Sequence, residues 1–249
     1  MNASGQQWRL PLNIGKLAEN EIHIWQASLN GEVTVLHTLQ RLLTEEEAAK
    51  ASQFRFEKDQ HHWIIARGTL RVLLGRYLNV DPGLLRFDYN AYGKPALSSP
   101  FNERQLHFNV SHSHAVALYA FTYARQIGID IEYMRSDIDY EQLAHYSFSP
   151  NEQAVLYALP KAMQQQAFFN CWTRKEAYIK AKGKGLSLPL DLFDVSLRPG
   201  DPARLLSSRE ASQETISWSM RELLPGPNYV GAVVVEGSER PMSYWRWQH

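Results

Sequence analysis

Two short segments of the chain carry residue types at spacings that could do chemistry. The first, Gly128-Ile129-Asp130-Ile131-Glu132, sets two carboxylates two residues apart. The second runs from Trp172 through Thr173-Arg174-Lys175-Glu176-Ala177-Tyr178-Ile179 to Lys180 and is followed by Gly183-Lys184-Gly185. Ile127, Ile129 and Ile131 alternate with the polar positions, the period of a strand with one buried face. Asp130 and Glu132 therefore share the other face, about 7 Å apart at their α-carbons. Carboxylates that close repel unless positive charge lies near them, so the pair marks either a solvated face or a ligand site. In the second segment Phe168, Phe169, Trp172 and Ile179 recur at helical spacing, which predicts a helix over 164–182. Glu176 falls inside the arc of those apolar side chains, and Lys180 lies one turn on, at its edge. An inward carboxylate must be ion-paired or metal-bound. A Glu176–Lys180 pair at i,i+4 is one solution. The other joins Glu176 to Asp130 and Glu132 in an all-oxygen site, which suits magnesium beside a phosphate. Gly183 and Gly185 allow a tight helix exit with lysines on it, and no Walker A spacing is present.

The elements that must position these residues fall into two similar series. Residues 22–26 and 127–133 are predicted strands, each followed by a capping-box helix start, Thr44-Glu45-Glu46-Glu47 and Ser149-Pro150-Asn151-Glu152. A long helix follows in each series, over 59–78 and 164–182, and then strands. These are expected near 85–89, 107–111 and 115–122, and near 192–197, 215–221 and 229–236, with Pro/Gly-rich breaks at 93–104, 198–203 and 224–228. The expectation is an α+β fold of two halves, 1–126 and 127–249. The aromatic Tyr244-Trp245-Arg246-Trp247 is expected to pack on the second half.

Twenty-six basic and 26 acidic residues give zero formal charge, so the 249-residue chain has no nucleic-acid footprint, and no lysine-rich run suggests a membrane surface. Residues 1–20 lack an apolar leader core and no stretch reaches membrane length, so a cytoplasmic location is expected. The single cysteine, Cys171, excludes an internal disulfide.

With Gly93-Lys94-Pro95 and Phe108-Asn109-Val110-Ser111-His112-Ser113 added, the motifs resemble those of the 4′-phosphopantetheinyl transferases of the Sfp type. Their order and spacing match from about Leu43 to Leu197. The resemblance implies a pseudo-twofold fold with coenzyme A in the cleft between halves, and a monomer. It implies transfer of phosphopantetheine from coenzyme A to a serine of an apo acyl or peptidyl carrier protein, with adenosine 3′,5′-bisphosphate leaving. Asp130, Glu132 and Glu176 would hold Mg²⁺. Glu176, or else Glu132, would be the base, and Lys180 would neutralise the pyrophosphate. Ser111 and His112 would hold the 3′-phosphate of coenzyme A, and Lys94 and Pro95 would lie along its adenine. Lys50 matches one of a pair of phosphate-binding lysines, but the position of its partner is Glu47, and Arg67 is a candidate replacement cation. Carrier proteins are acidic around their serine, so a basic rim at Lys180, Lys182 and Lys184 would help docking. A rival reading joins His112 and His114 to His61 and His62 in a histidine-ligated, metal-dependent hydrolase, which leaves the three acids without a role.

Overall fold

The computed structural model describes residues 6–11, 16–211 and 213–249. Residues 1–5 and 12–15, part of the stretch expected to lack a leader, lie outside that set.

The first series is β1 (Ile22–Ser28), α1 (Val33–Gln40), α2 (Glu45–Ser52), α3 (Glu57–Leu78), β2 (Phe87–Tyr89), β3 (Pro95–Leu97), β4 (Leu106–Ser113) and β5 (Val116–Tyr123). The second is β6 (Ile127–Tyr133), α4 (Tyr140–Ser147), α5 (Pro150–Tyr157), α6 (Lys161–Lys182), β7 (Phe193–Val195), β8 (Leu205–Ser208), the short α7 (Glu214–Ser217), β9 (Trp218–Leu223) and β10 (Tyr229–Glu236). A last strand, β11 (Met242–Arg246), closes the chain. Both series run strand, two short helices, one 22-residue helix, a small hairpin and two strands. Their sheets repeat the same order, β1-β5-β4 and β6-β10-β9, with antiparallel pairs throughout. The fold is α+β, as expected, and the repeat is legible in its topology. Both capping boxes form: Thr44 with Glu47 at α2, and Ser149 with Glu152 at α5.

Helix, sheet, sheet and helix stack in layers. Alternation on the strands explains why. On β1, Ile22 and Ile24 face the second sheet, while Trp25 and Ala27 face α3. On β6, Ile127, Ile129 and Ile131 meet Leu118, Ala120, Val233 and Val235 in the core between sheets. The opposite face of β6 meets α6, and Gly128 permits the contact: a Cβ there would lie 2.1 Å from the Ala177 carbonyl oxygen and 2.3 Å from the Ala181 nitrogen.

Two expectations are corrected. β11 pairs in parallel with β1 at the edge of the first sheet and Trp245 stacks on Trp25 at 5.9 Å between ring centroids, so of the aromatic segment only Tyr244 reaches the second half, in the core between the sheets. The strand expected over 215–221 begins only at Trp218, after the turn of α7, in which Glu214 is anchored by Tyr178 and Trp218.

Candidate active site

The face of β6 that meets α6 carries Gly128, Asp130 and Glu132, so the glycine that admits the helix also brings its residues beside the acids. Asp130 is buried, and its Oδ1 accepts from Lys180 Nζ at 2.6 Å and from Ser111 Oγ at 2.8 Å. Lys180 Nζ also donates to Ser111 Oγ at 3.0 Å, closing a three-membered network between β4, β6 and α6. Lys180 is thus paired across space with Asp130, not along its helix with Glu176. Asp130 Oδ2 is buried and has no hydrogen-bond partner among the described residues. Glu132 Oε2 accepts from Ser113 Oγ at 2.8 Å. Burial and the Asp130 charge raise the Glu132 pKa against the opposing Ser113 bond. Glu176 has no hydrogen bond or close ion pair among the described residues, and burial followed by the Asp130 charge pushes its pKa up to about 6.

Asn109, Ser111 and Ser113 share one face of β4 and act as a row of connectors to β6. Ile129 N donates to Asn109 Oδ1 at 2.8 Å, and Tyr133 N donates to Ser113 Oγ at 3.0 Å. Strands β4 and β6, one from each of the stacked sheets, are therefore joined through side chains. The sequence carries the signal, as three polar residues at period two among Phe108 and Val110, but the resemblance gives a role to Ser111 alone of the three.

Of the residues expected at the nucleotide, His112 points the other way along β4 and is exposed. Protein flanking its ring, then the charges of Lys180 and His62, lower its pKa. Pro95 and the stem of Lys94 line a cavity of ≈ 280 Å³ with Asn109, Glu176, Ile179 and Lys180, so both series contribute walls. The same Lys94 and Pro95 border a neighbouring hollow of ≈ 580 Å³ that reaches His107 and Gln126. A larger hollow, ≈ 830 Å³, lies among residues 200–205, 215–224 and 237–244 and touches none of the three acids. The Lys94 ammonium donates to Ile127 O at 3.0 Å and Ala181 O at 3.2 Å, and burial lowers its pKa to about 8.

Four expected cations, Arg67, Lys50, Lys182 and Lys184, are not brought to this cleft as free charges. Arg67 Nε donates to Glu47 Oε1 at 2.6 Å, and its guanidinium lies 4.0 Å from the Phe87 ring centroid. Burial alone would raise Glu47, but Arg71, Arg67 and the Thr44 amide together hold it below its ordinary value. Lys50 is exposed, with Nζ 6.0 Å from the Trp63 ring centroid. The basic rim is likewise matched: Lys182 pairs with Glu210 and Glu214 at 2.7 and 2.9 Å, and Lys184 with Glu210 at 3.0 Å. Glu210 and Glu214 lie too far along the chain for the glycine-lysine motif to reveal them.

Three of the four histidines have partners of their own: His62 meets Asn30, His61 meets Glu57 and His114 stacks on Tyr133, while His112 is exposed near the end of β4. Among the described residues no three His, Cys, Asp or Glu side chains converge closely enough to grip a metal as they stand. The acids nevertheless fit a hard divalent cation in their chemistry. They offer oxygen donors, one buried oxygen without a partner among the described residues, and two carboxylates whose ionisation is held back by burial and by the Asp130 charge.

Comparison with known proteins decides the assignment. The family model described as the 4′-phosphopantetheinyl transferase superfamily matches residues 126–234, and the 4′-phosphopantetheinyl transferase N-terminal model matches 25–123. The 4′-phosphopantetheinyl transferase HetI of Nostoc sp. is 41% identical over 231 residues, spanning 93% of this chain and 94% of that protein. The chain belongs to the 4′-phosphopantetheinyl transferases. The Bacillus subtilis transferase Sfp is 36% identical over 155 residues, 62% of this chain and 66% of its own length, so this transferase is of the Sfp type. Among solved structures it also matches Thermotoga maritima holo-[acyl-carrier-protein] synthase at 16% identity and a TM-score of 0.37, over 46% of this chain and 64% of that one. Membership of this family leaves the hydrolase reading without support.

Proposed function

We propose that this transferase moves 4′-phosphopantetheine from coenzyme A to a serine of an apo acyl or peptidyl carrier protein, with residues 1–126 supplying nucleotide contacts and 127–249 the chemistry. The observation that supports this most is Asp130 Oδ2, a buried oxygen without a partner among the described residues, beside two carboxylates of raised pKa and one lysine. Asp130, Glu132 and Glu176 would hold Mg²⁺. Bound there, the ion supplies charge neutralisation at the pyrophosphate.

The chain's own residues account for the rest. The serine oxygen bonds to the β-phosphorus, the bond from that phosphorus to the bridging oxygen breaks, and adenosine 3′,5′-bisphosphate carries the bridging oxygen away. Glu176 takes the serine proton: it lines the cavity and has no hydrogen bond or close ion pair among the described residues. Glu132 is the alternative acceptor, though it already accepts from Ser113. Lys180, aimed by Asp130 and Ser111, stands ready to meet charge that develops on the leaving phosphate. His112 and Pro95 contact coenzyme A, His112 being the member of its motif open to a phosphate. Ser111 is turned to Asp130 and Lys180, so its part is to hold them. Lys50 and Arg67 are weaker candidates for the nucleotide, since Arg67 is already neutralised by Glu47. A monomer in the cytoplasm is the setting the resemblance supports. No helix among the described residues is long and apolar enough to cross a membrane.

Release of adenosine 3′,5′-bisphosphate tests the reading. It should require coenzyme A, an apo carrier and a divalent cation together. Hydrolysis without a carrier, with zinc in the purified protein, would contradict it.

A further inference from the structure

The loop from Asn90 to Lys94, between β2 and β3 of the first series, reaches across to the end of α6 in the second. The last carbonyls of a helix have no partner within it and form the negative end of its dipole. At α6, Lys94 Nζ donates to Ala181 O at 3.2 Å, and Asn90 Nδ2 donates to Gly183 O at 2.7 Å. The same ammonium donates to Ile127 O at 3.0 Å, at the start of β6. Asn90 Oδ1 accepts from Tyr92 N and Lys94 N, both at 2.9 Å, which folds the loop around its own side chain. Gly183 ends the helix at φ 67°, and a Cβ there would lie 3.1 Å from Asn90 Nδ2, so the two glycine-lysine motifs of the chain fit against each other.

Ala181 follows Lys180 directly, and Ile127 lies three residues before Asp130. We infer that Lys94, with Asn90, is a positioning residue: a helix cap supplied by the first half that fixes α6 against β6 and so sets Glu176 and Lys180 relative to Asp130. The Lys94 charge is engaged by carbonyls of the protein, leaving its stem and Pro95 to line the cavity. This inference rests on the proposed transferase chemistry.

The test compares Lys94→Met and Asn90→Ala with the parent protein, by steady-state kinetics with Mg²⁺, coenzyme A and an apo carrier, and by hydrogen exchange of amides 178–183. Misplacing catalytic groups costs turnover, so Lys94→Met should lower kcat about tenfold or more while KM for coenzyme A stays within about twofold. Asn90→Ala should shift kcat in the same direction by about threefold, and both should speed exchange in the last turn of α6. A large rise in KM with kcat and exchange unchanged would overturn the inference, making Lys94 a direct ligand. If Lys94→Met does not fold, Asn90→Ala decides: parental kcat and exchange would overturn the cap. A parent protein that transfers nothing would count against the function, while exchange, needing no turnover, would still judge the cap.

Discussion

At the scale of single residues, the site stores unfavourable charge, and Glu176 shows its sign. Its pKa in the fold, about 6, is above the ordinary glutamate value of 4.5, so ionisation is disfavoured by folding. Stability is therefore lost as pH rises through that window, and the full cost is present at pH 7. Glu176→Gln removes the cost and should stabilise the metal-free protein at pH 7 by about 1 kcal/mol, with no gain at pH 4. Thermal denaturation in chelator at the two pH values checks this. Added Mg²⁺ should raise the melting temperature of the parent and not of the variant. Equal melting temperatures under all these conditions would show that Glu176 is neither strained nor a ligand. The sequence revealed which acids face inward because alternation and helical period are local. It could not reveal that Lys180 answers Asp130, since that partner stands 50 residues away and the i,i+4 rule sees only one helix.

At the scale of elements, α6 is located by contacts on several sides. Gly128 admits it to β6, and Lys175, fully buried, donates to Leu190 O and Phe193 O and pairs with Glu152 at 2.8 Å. The Gly128→Ala methyl would stand 2.1 Å from the Ala177 oxygen, so helix and strand must part. That should cost about 3 kcal/mol and remove most activity, by chemical denaturation and transfer assay. Retention of both would mean that α6 tolerates displacement. Lys175→Met leaves Glu152 buried without its cation and should cost about 3–5 kcal/mol, measured the same way. A loss under about 1 kcal/mol would show the pair to be dispensable. Both helix positions and both capping boxes were legible, because each is written in consecutive residues. The burial of Lys175 was not, as its carbonyl partners lie 15 and 18 residues on, in the segment that leads into β7.

At the scale of the whole molecule, one topology is used twice and given unlike contents. Where β6 presents Asp130 to α6, β1 presents Trp25 to α3, and its indole donates to Tyr77 Oη at 2.7 Å. The first half is thus packed on the face where the second is charged. β11 breaks the repeat by joining β1, a pairing the sequence could not show because it unites strands more than 200 residues apart. Removing residues 242–249 exposes the β1 edge and strips Trp245 and Trp247 from Trp25. The truncated chain should lose several degrees of melting temperature, on the order of 3 kcal/mol, by circular dichroism. An unchanged transition would mean the strand only decorates the sheet. The central claim, that three acids and a lysine in this cleft transfer phosphopantetheine, is tested most directly by the intact mass of an apo carrier protein. After incubation with coenzyme A and Mg²⁺, the carrier should gain one phosphopantetheine on its serine with the parent enzyme and nothing with Glu176→Gln. No gain on any carrier with the parent, or an undiminished gain with the variant, would contradict the account.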